Sequence, residues 1–316
     1  MKASIHLTFL IIFIFINSIS KIHANNSDGK ITKAFLVWQD IKRSYLIYVP
    51  KNYDNTQPVP LLFHLHGGGG TGRGSIKLTF GKFNQLADDK NFIVVYPNGL
   101  NKNWNDGRLA NLKPGMEFVD DVGFIVAIVE KIKNQYLIDP QKIFVTGMSN
   151  GGFMTSRLLC DTSDLFRGGA VLTATLSSDY LTKCHPTAPL GVMVINGTDD
   201  PLVPYNGGHI MVLNKSRGAV VAADGWVDFW KKKMQCEEKI TQMLPDKNPN
   251  DGSQVEASQF KNCDEKQALL LYKINGGGHT WPGGKQYLSK KIIGTTNRDF
   301  NACEEIWTFF DQLPNR

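Results

Sequence analysis

The pattern of apolar and polar positions separates the chain into three kinds of stretch. The first is an apolar run from Leu7 to Ile16, preceded by Lys2 and followed by polar residues up to Ala24. A basic start, a short apolar centre and a small residue at the end form a secretory signal pattern, so residues 1–24 are predicted to be a signal peptide. Asn17 and Ser18 interrupt the run short of the roughly 20 apolar residues that a bilayer span requires. Stable membrane insertion is therefore not expected, and the localisation predicted is secreted or periplasmic. The second kind of stretch is strand-like. Phe35 to Trp38 and Tyr45 to Val49 read as a hairpin closing at Pro50. Short apolar runs that end in turn residues then mark buried strands at Leu61 to Leu65, Phe92 to Tyr96, Ile143 to Thr146, Ala170 to Thr173, Gly191 to Ile195 and Leu269 to Ile274.

The third kind is helical. Val122, Ile125, Ile128, Val129 and Ile132 repeat at three- and four-residue spacing behind Asp120 and Asp121, whose charge suits a helix start. Weaker helical patterns cover Asn84 to Lys90, Gly152 to Leu159, Ala223 to Lys233 and Ala302 to Gln312. An opening hairpin followed by alternating strands and helices predicts an α/β fold, with a mainly parallel sheet covered by helices on both faces. Pro245 to Gln259 is polar and without period, and is predicted to be a surface loop. Neither an internal repeat nor a linker is visible. A single catalytic domain over residues 25–316 is expected, a size that one large core supports.

Composition narrows the classes. The formal charge of +6 over 316 residues falls to +4 once the leader, which holds Lys2 and Lys21 and no acid, is set aside. With lysines scattered among aspartates, no electrostatic footprint for nucleic acid remains. Five cysteines follow the leader, and export permits disulfides. Local pairing predicts Cys160 with Cys184 and Cys236 with Cys263, leaving Cys303 as a buried thiol. No Cys or His pair has zinc-ligand spacing, so no metal site is expected.

Candidate chemistry begins at Gly147-Met148-Ser149-Asn150-Gly151, a G-x-S-x-G pentapeptide between a predicted strand and a predicted helix. Such a serine sits on a strained turn that exposes its hydroxyl, and the flanking glycines remove side chains that would clash. Ser149 is thus the candidate nucleophile, and it needs a base and oxyanion donors. The loop His66-Gly67-Gly68-Gly69-Gly70 follows the third strand, where such donors belong, and the amides of Gly68, Gly69 and Asn150 are the candidates. After Gly191 to Ile195 come Asp199 and Asp200. Asp200 is favoured as the acid because its Asp-x-x-Val-Pro sequence behind a Gly-Thr turn resembles the arrangement found at this position in related hydrolases. After the last strand, His279 stands in a glycine-rich loop and is the candidate base. His64, His66, His185 and His209 are less suitably placed, and His66 is expected to hold its own loop. The order Ser, Asp, His, with these residues after strands five, seven and eight, is the order of the α/β-hydrolase fold. An eight-stranded sheet is expected on that count.

Together with Trp104-Asn105-Asp106-Gly107-Arg108, Asp120 to Phe124, Gly197 to Tyr205 and Gly278 to Gly284, these motifs resemble the polyhydroxybutyrate depolymerase-like and feruloyl esterase-like group of secreted α/β-hydrolases. The resemblance extends from about Ser44 to Phe310. It implies a serine esterase with no large lid that acts without a cofactor, with ester substrates such as feruloyl or acetyl groups on polysaccharide or short hydroxyalkanoate oligomers. Within it, Trp104, Arg108 and Trp281 are candidates for the substrate cleft, with packing and ion pairing as their alternative roles. Two other readings of the same chain are a serine peptidase or thioesterase on this scaffold and a non-catalytic secreted carbohydrate-binding protein.

Overall fold

The computed structural model describes residues 29–112, 117–212 and 215–316; the predicted signal peptide lies outside them. The chain opens with antiparallel strands β1 (Lys30–Trp38) and β2 (Ile41–Val49). Gln39 and Asp40 between them both adopt positive φ, 48° and 60°, the backbone a two-residue hairpin turn demands. Next come β3 (Val59–Leu65), the helices α1 (Gly72–Leu78) and α2 (Lys82–Lys90), and β4 (Ile93–Pro97). After α3 (Asp121–Gln135), β5 (Ile138–Met148), α4 (Asn150–Asp161), β6 (Gly168–Leu172) and β7 (Gly191–Gly197) follow in quick alternation. A small hairpin, β8 (Gly208–Val212) and β9 (Lys215–Val220), precedes α5 (Ala223–Lys233). The chain ends through β10 (Glu238–Met243), β11 (Gln254–Lys261), β12 (Ala268–Asn275), α6 (Lys290–Ile293) and α7 (Ala302–Asp311).

The main sheet has the order β1-β2-β4-β3-β5-β6-β7-β12-β11-β10. From β4 to β12 the pairings are parallel, and the strands on either side are antiparallel. The expectation of an α/β fold with a mainly parallel sheet therefore holds, but the sheet has ten strands rather than eight. Pro245 to Gln259 is also not wholly a loop, because β11 begins inside it. Val255, Ala257 and Phe260 of that strand are buried while Gln254 and Gln259 are exposed. A strand next to the sheet edge with one wet face lacks the continuous apolar run that marked the central strands.

Each central strand buries side chains in two directions. Leu61, Phe63 and Leu65 of β3 join Val145 and the apolar face of α3 on one side of the sheet, whereas Leu62 joins Phe144 and the α7 residues Ile306 and Phe310 on the other. The α3 stripe predicted from spacing is the packed one: Ile125, Ile128, Val129 and Ile132 are fully buried. The Asp120 carboxylate accepts from the Gly123 amide at 2.8 Å and fixes the start of that helix. On the second face the Phe144 ring lies flat on Phe310, with centroids 4.6 Å apart.

Both expected disulfides, Cys160–Cys184 and Cys236–Cys263, are formed, and Cys303 is a free buried cysteine. The first ties the end of α4 to the segment leading into β7 across 24 residues. In the unfolded chain such a cross-link removes entropy on the order of 3 kcal/mol. The double variant Cys160→Ala/Cys184→Ala is expected to lose about that much stability in urea unfolding; a midpoint equal to the parent's would show that the cross-link constrains nothing.

Candidate active site

The loops of interest leave the carboxyl ends of the parallel strands, where open α/β sheets form their clefts. Ser149 stands between β5 and α4 with φ 57° and ψ −124°, a conformation costly for a residue with a Cβ. Its amide donates to the Leu172 carbonyl at 2.9 Å, and its carbonyl accepts from Phe153 at 2.8 Å, so sheet and helix together hold the strain. The flanking glycines have a steric reason. A Cβ on Gly147 would lie 2.4 Å from the Gly151 carbonyl oxygen, and one on Gly151 would lie 2.3 Å from that of Leu65.

Asp200 and His279 are 79 residues apart in sequence, yet Asp200 Oδ2 and His279 Nδ1 are 2.7 Å apart and both side chains are buried. They meet because β7 and β12 are neighbouring parallel strands whose exit loops are laced together. Asp199 donates its amide to the Gly277 carbonyl at 3.0 Å, and the Thr198 hydroxyl accepts from the Gly276 amide at 2.8 Å. The second carboxylate oxygen of Asp200 accepts from the Leu202 and Val203 amides, each at 2.8 Å. An ionised carboxylate only accepts, so His279 presents Nδ1–H to it and keeps Nε2 for another partner. Asp199, the competing acid, is exposed and bonds to its neighbour Thr198. Ser149 and His279 line one cavity of about 760 Å³. Among the described residues the serine hydroxyl has no hydrogen-bond partner; such contacts often tighten only when substrate binds.

The glycine loop is held by His66, whose Nε2 accepts from the Gly99 amide at 2.9 Å while Nδ1 donates to the Gly67 carbonyl at 2.8 Å. Gly68 abuts Asn150, since a Cβ on it would be 3.6 Å from the Asn150 Cβ. The amides of Gly68 and Asn150 have no partner among the described residues, and both residues line the cavity. Gly69 departs from expectation. Its amide donates to the Lys102 carbonyl at 2.8 Å, which commits it to the loop and removes it as an oxyanion donor.

Two of the three cleft candidates are also corrected. Trp104 is fully buried, its indole N–H donating to the His66 carbonyl at 2.8 Å, and Trp281 is buried against His64 with centroids 4.8 Å apart. Neither lines the cavity; both brace the loops beside it. Arg108 does line it, but its guanidinium is paired with Asp106 and lies over the Phe153 ring at 3.9 Å. Asn150 joins the same assembly: its side chain accepts from the Trp104 amide at 2.8 Å and donates to Asp106 at 2.6 Å. Leu202 and Val203 of the Asp200 motif form part of the walls, and the rest comes largely from residues without a motif, namely Lys77 and Leu78, Ile210, Val212 and Arg217 of the hairpin, and Lys285, Tyr287 and Leu288. The alternation of Ile210 and Val212 behind the Gly207-Gly208 pair was a usable strand signal. Burial and the nearby Asp200 charge raise the Tyr287 pKa, so its hydroxyl stays protonated and donates to the His279 carbonyl at 3.0 Å.

Residues 79–185 match the prolyl oligopeptidase family. A probable feruloyl esterase C of Aspergillus niger is 33% identical over 201 residues, 61% of this chain and 69% of that protein. Another, from Aspergillus terreus, is 30% identical over 244 residues, covering 75% and 76% of the two chains. Among solved structures, an acetyl xylan esterase from Aspergillus awamori superposes with a TM-score of 0.56 at 16% identity, over 79% of this chain and 94% of that one, which speaks for the fold alone. Fold and relatives together define an α/β-hydrolase of the serine ester hydrolase class. The chain belongs to the feruloyl esterase-like family.

Two buried imidazoles beside the site make stability depend on pH. Burial, with a smaller contribution from His66, pushes the His64 pKa from 6.5 down to about 3, and burial pushes His66 to about 4. Since both folded values lie below the unfolded one, the unfolded chain binds more protons between about pH 4 and 6.5. The stability tied to keeping these rings neutral is complete above pH 6.5 and is lost as pH falls, on the order of 2 kcal/mol per ring by pH 5. Urea midpoints are expected to fall from pH 7 to pH 5, and His64→Leu to flatten that dependence; equal slopes in parent and variant would contradict the assignment.

Proposed function

We propose that Ser149, His279 and Asp200 form the catalytic triad of a secreted carboxylic ester hydrolase whose catalytic domain is residues 25–316. The observation that carries this reading is the 2.7 Å contact between His279 and Asp200 at the wall of the cavity that Ser149 also lines. Ser149 attacks the ester carbonyl while His279 Nε2 takes its proton and passes it to the leaving alcohol. Water then enters by the reverse route and hydrolyses the acyl-enzyme. Asp200 keeps the imidazole in the required tautomer and stabilises its charged form. The amides of Gly68 and Asn150 receive the developing oxyanion.

The relatives' names support feruloyl esters as the first substrates to test, and the largely aliphatic walls at Leu78, Leu202, Val203, Ile210, Val212 and Leu288 suit an aryl acyl group. Acetylated polysaccharide and short hydroxyalkanoate oligomers share the same chemistry. The two disulfides fit an exported protein. The match to a peptidase family over residues 79–185 keeps amide cleavage as a second reading.

On 4-nitrophenyl acetate, Ser149→Ala is expected to lower kcat by at least about 10³-fold without loss of folded structure, as removal of a serine nucleophile does elsewhere. Asp200→Asn should also cost orders of magnitude, while Asp199→Asn stays near the parent. Equal losses in the two aspartate variants would defeat the assignment of the acid. Parallel assays of methyl ferulate, acetylated xylan, hydroxybutyrate oligomers and an amide analogue rank the substrates, and labelling by a fluorophosphonate separates an enzyme from a non-catalytic carbohydrate-binding protein.

A further inference from the structure

The cleft has an electrostatic character that a neutral ester does not require. Lys77, Arg108, Arg217 and Lys285 line it, and among the described residues no Asp or Glu side chain does. Arg108 is neutralised by Asp106. Among the described residues the other three cations have no ion-pair partner. The nearby Asp200 carboxylate is occupied by His279 and by the Leu202 and Val203 amides.

Arg217 carries most of the inference. It is half-buried on β9, and among the described residues its guanidinium meets neither an acid, nor a carbonyl, nor a ring. A guanidinium on a cleft wall whose donors face no protein acceptor is open to an acceptor on a ligand, and its planar fork matches a carboxylate. β9 runs beside the Arg108 segment, for a Cβ on Gly218 would lie 3.5 Å from the Arg108 Cβ. Lys77 and Lys285 stand on another wall, brought together where the Lys285 amide donates to the Leu78 carbonyl at 2.9 Å. A single-signed field in a concave, partly apolar cleft raises the local concentration of an oppositely charged substrate.

We propose that the cleft selects esters carrying a carboxylate, with Arg217 as its anchor and Lys77 and Lys285 adding attraction. The anion belongs either to the alcohol, as in a uronate-bearing oligosaccharide, or to the acyl group, as in a dicarboxylic half-ester. This selectivity rests on the ester-hydrolase reading and adds to it a substrate charge.

Two matched pairs test it on the whole protein: 4-nitrophenyl hydrogen succinate against 4-nitrophenyl butyrate for the acyl side, and acetate release from acetylated oligogalacturonate against the same oligomer methyl-esterified for the alcohol side. In one pair, kcat/KM for the anion is expected to exceed that for the neutral partner by about fivefold or more near 20 mM ionic strength, through KM, and to approach parity near 0.5 M salt. The responding pair identifies which side carries the charge. Arg217→Gln should cut that ratio by about threefold or more, and Lys77→Gln/Lys285→Gln by less. Because the ratio is taken within each variant, a general loss of activity cancels. Neutral esters hydrolysed at rates equal to or above their anionic partners in both pairs overturn the proposal and leave the ester-hydrolase reading intact. A preference that survives both salt and Arg217→Gln also overturns it. Failure to cleave the four esters while methyl ferulate is hydrolysed overturns the proposal alone, and failure on all five overturns both readings.

Discussion

Backbone meets backbone where α4 begins above the ends of β3 and β5, and the cleft depends on that contact. The gaps at Gly147 and Gly151 are too small for a single methyl group. With the helix seated this low, Ser149 takes its left-handed turn, and Gly67 and Gly68 come to rest against Ser149 and Asn150, at 3.6 Å from an added Cβ in each case. Glycines on both sides of the approach thus do one job. They let two chain segments share a space in which the proposed nucleophile and the proposed oxyanion donors are neighbours.

A second constraint is topological. Between β7 and β12 the chain makes a long excursion through the β8–β9 hairpin, α5, β10 and β11, and it returns as the parallel neighbour of β7, with Ile274 opposite Gly197. Strands in a sheet are about 4.8 Å apart, so the loops that leave β7 and β12 are in contact as soon as they form. The excursion adds β10 and β11 to the sheet edge and closes part of itself with Cys236–Cys263. Its first element supplies a cleft wall. One insertion therefore accounts for the two extra strands, for the sequence distance between the buried acid and histidine, and for Ile210, Val212 and Arg217 lying where substrate would enter.

Central strands, the long helix α3 and the loops that bear Ser149, Asp200 and His279 were legible because each is governed by local chemistry: continuous burial, a 3.6-residue stripe, and glycine where backbones touch. β11 was hidden by its wet face. Gly69 could not be told from Gly68, since which amide of a glycine run is free depends on where Lys102 lies in space. Trp104 and Trp281 looked like cleft walls because they stand beside motif residues, yet a large ring next to a tight loop fills the space beneath it as readily as the space above. Arg108 lines the cavity and is nevertheless neutralised, a pairing with Asp106 that two residues of spacing permit but do not dictate.

Those corrections share a cause that bears on what kinship can transfer. The Trp104 to Arg108 segment is a clamp: the Asn150 side chain pairs with the Trp104 backbone, Asp106 bridges Asn150 and Arg108, and Asn105 donates to Asp121, which Arg43 holds at 2.6 Å. Leaving any of these buried polar groups unpaired would be costly, so the segment tolerates little change whatever ester is bound. Among the described residues, the walls contributed by β9 and by Lys285 to Leu288 carry no comparable network on the residues that face the cleft. The match over residues 79–185 contains the serine turn and the clamp but stops before β7, so it includes neither of these walls. Likeness to the prolyl oligopeptidase family therefore extends to the serine turn and the clamp and not to these walls. Under the proposed reading, the choice of ester follows from the charge and shape of the hairpin and of the segment after His279.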